Sequence, residues 1–330
     1  MINHRNRFAA AWKMLAVALL ALTAGVVSAQ APARTGYPAK AITLVIPSAA
    51  GGGLDVAMRH VARRLSEEMG VPVVAENRPG VNLLIGTRYV ASAPADGYTL
   101  LAMSNTFLGA TVFGDIAAGY DPFRDFITVS SIAMGANVLL VNSSSGITSA
   151  RDLVERAKKA GANKLSYGTA GVGSSPHVAA ALFVKSTATD YIDVPYKGTA
   201  PAMIDLLGGR LTFLFDSVVV SLPHVKSGAL KPLAVSTAKR SALMPDVPTM
   251  AEAMNLPDYN LPLFYGIAVP AKTPPDVVKT LHAALSKLTA DPALREQFAT
   301  MGFELQGSES PDEYTRFLRQ QLDNLKSLKN

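Results

Sequence analysis

The sequence predicts an α/β protein built as two doubly wound lobes with a ligand cleft between them. Strand-like and helix-like patterns alternate from about residue 42 onward, the arrangement of a parallel sheet covered by helices. A second β and α series opens at Leu165, after the hinge-like stretch Ser143-Ser144-Ser145-Gly146. Late in the chain, Phe264 to Val269 reads as a strand that returns to the first series. The expected division is a first lobe over 30–142 plus 262–330 and a second over 143–261.

Residues 1–29 precede both lobes and read as an export signal. Arg5, Arg7 and Lys13 make a positive start without an acid, Met14 to Val27 is an apolar run of 14 residues, and Val27-Ser28-Ala29 offers small residues for cleavage before Gln30. That run is too short for a comfortable membrane span. Removing it leaves 301 residues with 28 basic against 25 acidic side chains, so half of the formal charge of +6 belongs to the leader. The remaining charges are dispersed, and nothing favours nucleic acid. Cysteine is absent, which excludes disulfides, thiolate nucleophiles and cysteine-ligated metal centres.

Taken in order, Ile42 to Ile46 is an apolar strand that breaks at Pro47-Ser48-Ala49-Ala50-Gly51-Gly52-Gly53. Leu54, Met58, Val61, Leu65 and Met69 then recur at helical spacing, with Gly70 as the stop. A strand that restarts as a helix after glycines brings N–H groups and the positive end of a helix dipole to one place, which suits an anion. Val71 to Val74 and Tyr98 to Met103 read as further strands, the second ending on Ser104-Asn105-Thr106. In open α/β sheets, ligands bind at such carboxyl ends. Asn137 to Asn142 is another apolar strand, and Ser149 with Asp152 opens a helix by capping-box spacing. The second series runs strand Leu165–Tyr167, helix from about Ser175, strand Tyr191–Val194, helix Pro201–Leu207 and strand Leu211–Phe215. Thr273-Pro274, Asp291-Pro292 and Ser310-Pro311 each place a cap before a helix-opening proline.

Catalytic patterns are weak. The glycine run lacks the P-loop lysine and the G-x-G-x-x-G spacing, and no H-E-x-x-H or similar metal spacing occurs among His60, His177, His224 and His282. Ser174 and Ser175 lie near His177, but without the G-x-S-x-G elbow or an evident orienting acid, so an exported serine hydrolase is the lesser alternative. Binding fits better. Thr169-Ala170-Gly171 with Gly173-Ser174-Ser175 makes a second small-residue loop that opens a helix, and Tyr196-Lys197-Gly198-Thr199-Ala200-Pro201 makes a third. Asp216 follows a strand, His177 sits near a helix start where capping, packing and ligand contact are all open, and Lys197 is the obvious cation for a carboxylate. Two lobes that each offer N–H-rich helix starts form a clamp for a small anion and need neither nucleophile nor cofactor.

Several further stretches, in this order, complete a recognisable pattern. They are the glycine run with Asp55, Glu76-Asn77-Arg78-Pro79-Gly80, Asp96-Gly97-Tyr98-Thr99-Leu100, Tyr120-Asp121-Pro122, Leu165-Ser166-Tyr167-Gly168, Val194-Pro195-Tyr196-Lys197-Gly198, Asp205-Leu206-Leu207-Gly208-Gly209, Pro245-Asp246-Val247-Pro248-Thr249 and Pro270-Ala271-Lys272-Thr273-Pro274. Over essentially the whole exported chain, this resembles the Bug family of extracytoplasmic receptors of tripartite tricarboxylate transporters. The resemblance implies a type II periplasmic-binding-protein fold, a periplasmic location and a monomer without a cofactor. It also implies a small carboxylate ligand (di- or tricarboxylate, amino acid or aromatic acid), delivered to inner-membrane transporter subunits. An orphan receptor feeding a sensor kinase is the alternative. By position it implicates Ser48 to Gly53, Ser104 to Thr106, Thr169 to Ser175, Lys197 to Ala200 and Asp216, with Asp55 capping its own helix. The chain departs from the pattern at Ser48-Ala49-Ala50, at Leu54 where threonine or serine is common, at Val81-Asn82-Leu83-Leu84 in place of Gly-Gly, and at Phe264 where tryptophan is frequent.

Overall fold

A computed structural model describes residues 36–114, 116–161, 164–196 and 198–329. The expected leader, residues 1–29, lies outside these, as does Lys197.

The first sheet begins with β1 (Ile42–Ile46), which feeds α1 (Gly53–Met69). The five apolar residues at helical spacing are all buried in α1, and the Gly70 N–H closes the helix on the Ser66 carbonyl at 2.9 Å. Full burial of such side chains stabilises by roughly 1.5–3 kcal/mol each. β2 (Val73–Asn77), α2 (Leu84–Ala91), β3 (Thr99–Ser104) and α3 (Thr106–Phe113) follow, and then β4 (Phe126–Gly135).

Beyond Gly135 the chain leaves this sheet. β5 (Asn137–Asn142) pairs antiparallel with β8 (Phe213–Ser217) and β9 (Leu230–Val235) in a second sheet, which also holds β6 (Ser166–Thr169) and β7 (Ile192–Pro195) in the order β7-β6-β8-β5-β9. The chain passes from the first sheet to the second at Gly135–Ala136, ahead of the lobe boundary expected after residue 142. An apolar strand reads alike in either sheet, and only its partners tell them apart. Ser143-Ser144-Ser145 is a 3-10 turn capped by the Asn142 side chain, which accepts from the Ser144 N–H, rather than a hinge.

Helices α4 (Ala150–Ala160), α5 (Ser175–Thr187), α6 (Thr199–Leu207), α7 (Val218–Lys226) and α8 (Met250–Met254) cover the second sheet. β10 (Leu263–Pro270) returns to the first sheet between β3 and β4, antiparallel to both. α9 (Pro275–Ala290), α10 (Pro292–Thr300), β11 (Glu304–Leu305) and α11 (Pro311–Lys329) finish the chain, and the first sheet has the order β11-β4-β10-β3-β1-β2. Both sheets are therefore mixed rather than purely parallel, because each crossing strand enters its sheet from the opposite end.

Of the three expected caps, Asp291 accepts from the Ala293 and Leu294 N–H groups and Ser310 accepts from Glu313. Thr273 instead donates to the Pro270 carbonyl, and α9 opens one residue later, at Pro275. One apolar core runs from Phe107 and Phe126 of the first sheet's side to Phe183 and Phe213 of the second's, bridged by α11. Lys185 on α5 also donates to the Ser327 carbonyl of α11 at 3.0 Å.

Candidate functional site

Three helices from three parts of the chain begin at one cavity. The loop into α1 and its first turn contribute Ser48 and Leu54, the end of β3 and the start of α3 contribute Ser104, Asn105 and Thr106, and the cap and first turn of α5 contribute Ser174, Ser175 and Pro176. Leu83, Leu263 and Tyr265 complete a lining of about 150 Å³. Each element delivers its first turn for a legible reason. Glycine permits a tight entry into α1: a Cβ on Gly53 would stand 2.9 Å from the Tyr265 hydroxyl. β3 ends at Ser104, opposite Tyr265 of β10. Ser174 caps α5 by accepting from the His177 N–H, and Pro176 sits in that first turn. The positive ends of these helices converge where, among the described residues, no charged side chain lines the wall. The hydroxyl of Ser48 is buried there without a partner. Such an arrangement attracts an anion and offers hydroxyls and N–H groups to its oxygens.

The other expected residues divide. Ala49, Ala50, Gly51 and Gly52 are exposed beside Ser48 and are not part of the wall. The Gly51 N–H is already used, at 2.8 Å from Asp55 Oδ2. Asp55 is buried, and Arg59 and Asn77 also donate to it. It therefore braces its own loop. Asn105 faces the cavity, but its amide clamps the return crossing, accepting from the Phe264 N–H at 3.0 Å and donating to the Pro262 carbonyl at 2.9 Å. Thr169 is buried and bonds Asp193 at 3.2 Å. Ala170 and Gly171 are part-exposed, and a Cβ on Gly171 would meet Asn82 of the first lobe at 3.3 Å. Gly198, Thr199 and Ala200 open α6 away from this cavity.

His177 and Asp193 form a separate pair. The His177 Nε2 stands 3.7 Å from Asp193, while Nδ1 accepts from the Gly173 N–H at 3.3 Å. Burial raises the Asp193 carboxyl, and the neighbouring His177 and Thr169 partly offset that. The imidazole thus supports the loop before α5 and packs edge-on against Phe113 of the first lobe, 5.4 Å away. Of the two serines beside it, Ser174 accepts from the His177 backbone N–H and Ser175 accepts from the Asn137 amide.

Asp216 is the next-to-last residue of β8, and Thr199 at the start of α6 acts on it. Its Oδ1 accepts from the Ser217 N–H at 2.7 Å, and its Oδ2 is buried without a partner. Burial pushes its carboxyl up to about 7 against the pull of Ser217 and Thr199. Across the cleft its charge raises the Tyr265 phenol further than burial alone.

Five lining residues were not foreseen: Leu54, Leu83, Pro176, Leu263 and Tyr265. Leu54 had a signal in its departure from the threonine or serine common there, and Tyr265 lay inside a strand read for its hydrophobicity. Leu83 had a signal in the departure from Gly-Gly. Val81, Asn82 and Leu83 all hold positive φ, at 45°, 54° and 67°.

The comparisons agree with this architecture. The model of the tripartite tricarboxylate transporter family receptor matches residues 57–330. The chain is 35% identical over 297 residues to the UPF0065 protein in the tcbD-tcbE intergenic region of Pseudomonas sp. (strain P51), covering 89% of this chain and 87% of that one. It is 32% identical to Protein BugT of Bordetella pertussis, covering 88% of each. Among solved structures, Rpa4515 of R. palustris with adipate superposes with a TM-score of 0.81 at 33% identity, over 89% of this chain and 97% of that one. The periplasmic binding protein BugD gives 0.77 at 30%, over 88% and 97%.

Proposed function

The chain belongs to the tripartite tricarboxylate transporter receptor family, and on that premise we propose that it captures a small carboxylate in the cavity where α1, α3 and α5 begin. The observation that carries this reading is the convergence of helix N-termini and serine and threonine hydroxyls on one uncharged cavity. Ser48, Thr106, Ser174 and Ser175 would receive the carboxylate oxygens, with ordered backbone N–H groups beside them. Lys197, Thr199 and Asp216 remain in the same proposal as contacts contributed by the second lobe. The acid is then passed to membrane transporter subunits after the lobes close.

Thermal-shift screening of the purified protein against a carboxylate library tests the capture step. An acid present at 100 times its dissociation constant should stabilise the fold by about 2.7 kcal/mol, and Ser48→Ala should weaken that acid about tenfold or more, since a hydrogen bond to a charged group contributes about 1.5–3 kcal/mol. A neutral sugar that shifts melting while every acid fails would overturn the reading. Delivery to a transporter predicts loss of uptake of that acid in a deletion strain; unchanged uptake would favour a sensory partner. Export predicts a mature chain beginning at Gln30, read by N-terminal sequencing of periplasmic material.

A further inference from the structure

Beside the cavity the first lobe reaches across to the second at Asn82, whose side-chain amide donates to the Val172 carbonyl. Both ends of that bond are held in place. Val81, Asn82 and Leu83 take three successive positive φ values without a glycine. Side chains disfavour this region, a β-branched valine most of all, and asparagine tolerates it better than most. Such a backbone persists where its surroundings over-determine it. Here the Leu84 N–H meets the Val81 carbonyl at 3.1 Å and the Thr87 hydroxyl meets the Leu83 carbonyl at 2.9 Å. A Cβ on Gly86 would stand 2.8 Å from the Arg78 carbonyl, so the helix that follows packs tightly on its own lobe. On the other side, Val172 lies between Gly171 and Gly173, at φ of 106° and 78°. The Ser174 N–H on the Gly171 carbonyl at 3.2 Å and the Gly173 N–H on His177 Nδ1 at 3.3 Å fix that loop.

Resting on the receptor reading above, we propose that Asn82 is a closure latch: it holds the lobes shut over the bound acid without touching the acid. Its place in the fold argues for this. Leu83, next to Asn82, and Ser174, two residues beyond Val172, both line the cavity, while Asn82 itself does not. The bond therefore forms where the lobes meet at the site. The other interlobe bond described above, Lys185 to Ser327, leaves from the last turn of α5, whereas Val172 precedes the first. The rise of α5 separates the two by about 15 Å.

At the Lys185 end the apolar core is continuous through α11. Parting the lobes there would expose apolar surface. At the Asn82 end water can replace a part-buried polar bond at small cost, so the lobes open at Asn82. One net hydrogen bond shifts such an equilibrium about two- to tenfold, enough to bias closure and too little to lock it. Two glycines in this stretch, as in the family pattern, would carry no such donor.

Spin-label distance measurement on the ligand-free protein tests the latch. The chain has no cysteine, so labels at Val74→Cys on β2 and Ile204→Cys on α6, both exposed and on opposite lobes, report lobe separation alone. The pair should show a closed population, at the separation these residues have here, beside a longer open one. Asn82→Asp keeps the size and the tolerance of positive φ but lacks the amide donor. Asn82→Gly keeps the turn with no side chain. Each should lower the closed-to-open ratio about two- to tenfold, with circular dichroism unchanged. Lys185→Ala should leave the ratio as it is, because the core holds that end. A ratio unmoved by both Asn82 variants, an equal shift from Lys185→Ala, or a parent with no closed population would overturn the latch. No ligand is present, so that failure leaves the carboxylate reading standing. Failure of every acid in the thermal-shift screen would instead remove the carboxylate reading and leave the measured lobe equilibrium intact.

Discussion

Burial pushes the Asp216 carboxyl up to about 7 because Oδ2 has lost water without gaining a donor, and the Ser217 N–H and Thr199 hydroxyl repay only part of the cost. Tyr265 is the titratable group facing it from the first lobe. The folded protein then binds a proton that the unfolded chain, with an ordinary carboxyl near 3.8, has released. This contribution to stability is present in full below about pH 4 and is lost as pH rises to about 7. Melting temperature should therefore fall between about pH 4 and 7, and Asp216→Asn should flatten that fall. An unchanged slope in the variant would show that Asp216 ionises freely in the fold. None of this was legible from the sequence, where Asp216 was simply an acid after a strand. Its lost hydration comes from neighbours brought together by β5, α6 and β10.

At the scale of elements, the start of α1 shows the opposite balance. Asp55 is also desolvated, but Arg59, the Gly51 N–H and Asn77 outweigh that and hold its carboxyl below the usual range. Its stabilisation is present above about pH 4 and is lost as pH falls through the lowered value. Asp55→Asn should destabilise at neutral pH by about 1–3 kcal/mol and leave less to lose on acidification, as chemical denaturation at pH 7 and pH 3 would measure. Equal losses at both pH values would contradict the charge-based account. The strand-loop-helix itself was legible because Leu54 to Met69 keep helical spacing. The use of Gly51 was not, since the sequence offers its N–H to an anion and the fold gives it to Asp55.

At the scale of the molecule, the lobes meet backbone to backbone. A Cβ on Gly109 in α3 would overlap the Gly173 carbonyl, and one on Gly173 would stand 2.6 Å from the Gly109 carbonyl carbon. Close approach at this point brings the α3 and α5 starts to the same cavity. Gly109→Ala favours the helix itself while wedging the lobes apart. It should weaken acid binding at least about tenfold and enlarge the radius of gyration seen by small-angle scattering with ligand, with melting of the free protein little changed. Retained affinity would mean that the lobes close without this contact.

The sequence by itself determined the two-lobed α/β plan, the glycine entry to α1 and the small-residue loop that opens α5, because each rests on local spacing or turn chemistry. Tertiary structure alone decided that β5 belongs to the second sheet, that Asn105 clamps the return strand, and that Leu54, Leu83, Leu263 and Tyr265 wall the cavity. These depend on which strands pair and which faces meet, and apolar residues look alike along the chain whether they fill a core or face a ligand. The serine and threonine residues of the lining were therefore open to reading in advance, and its leucines and Tyr265 had to wait for the fold.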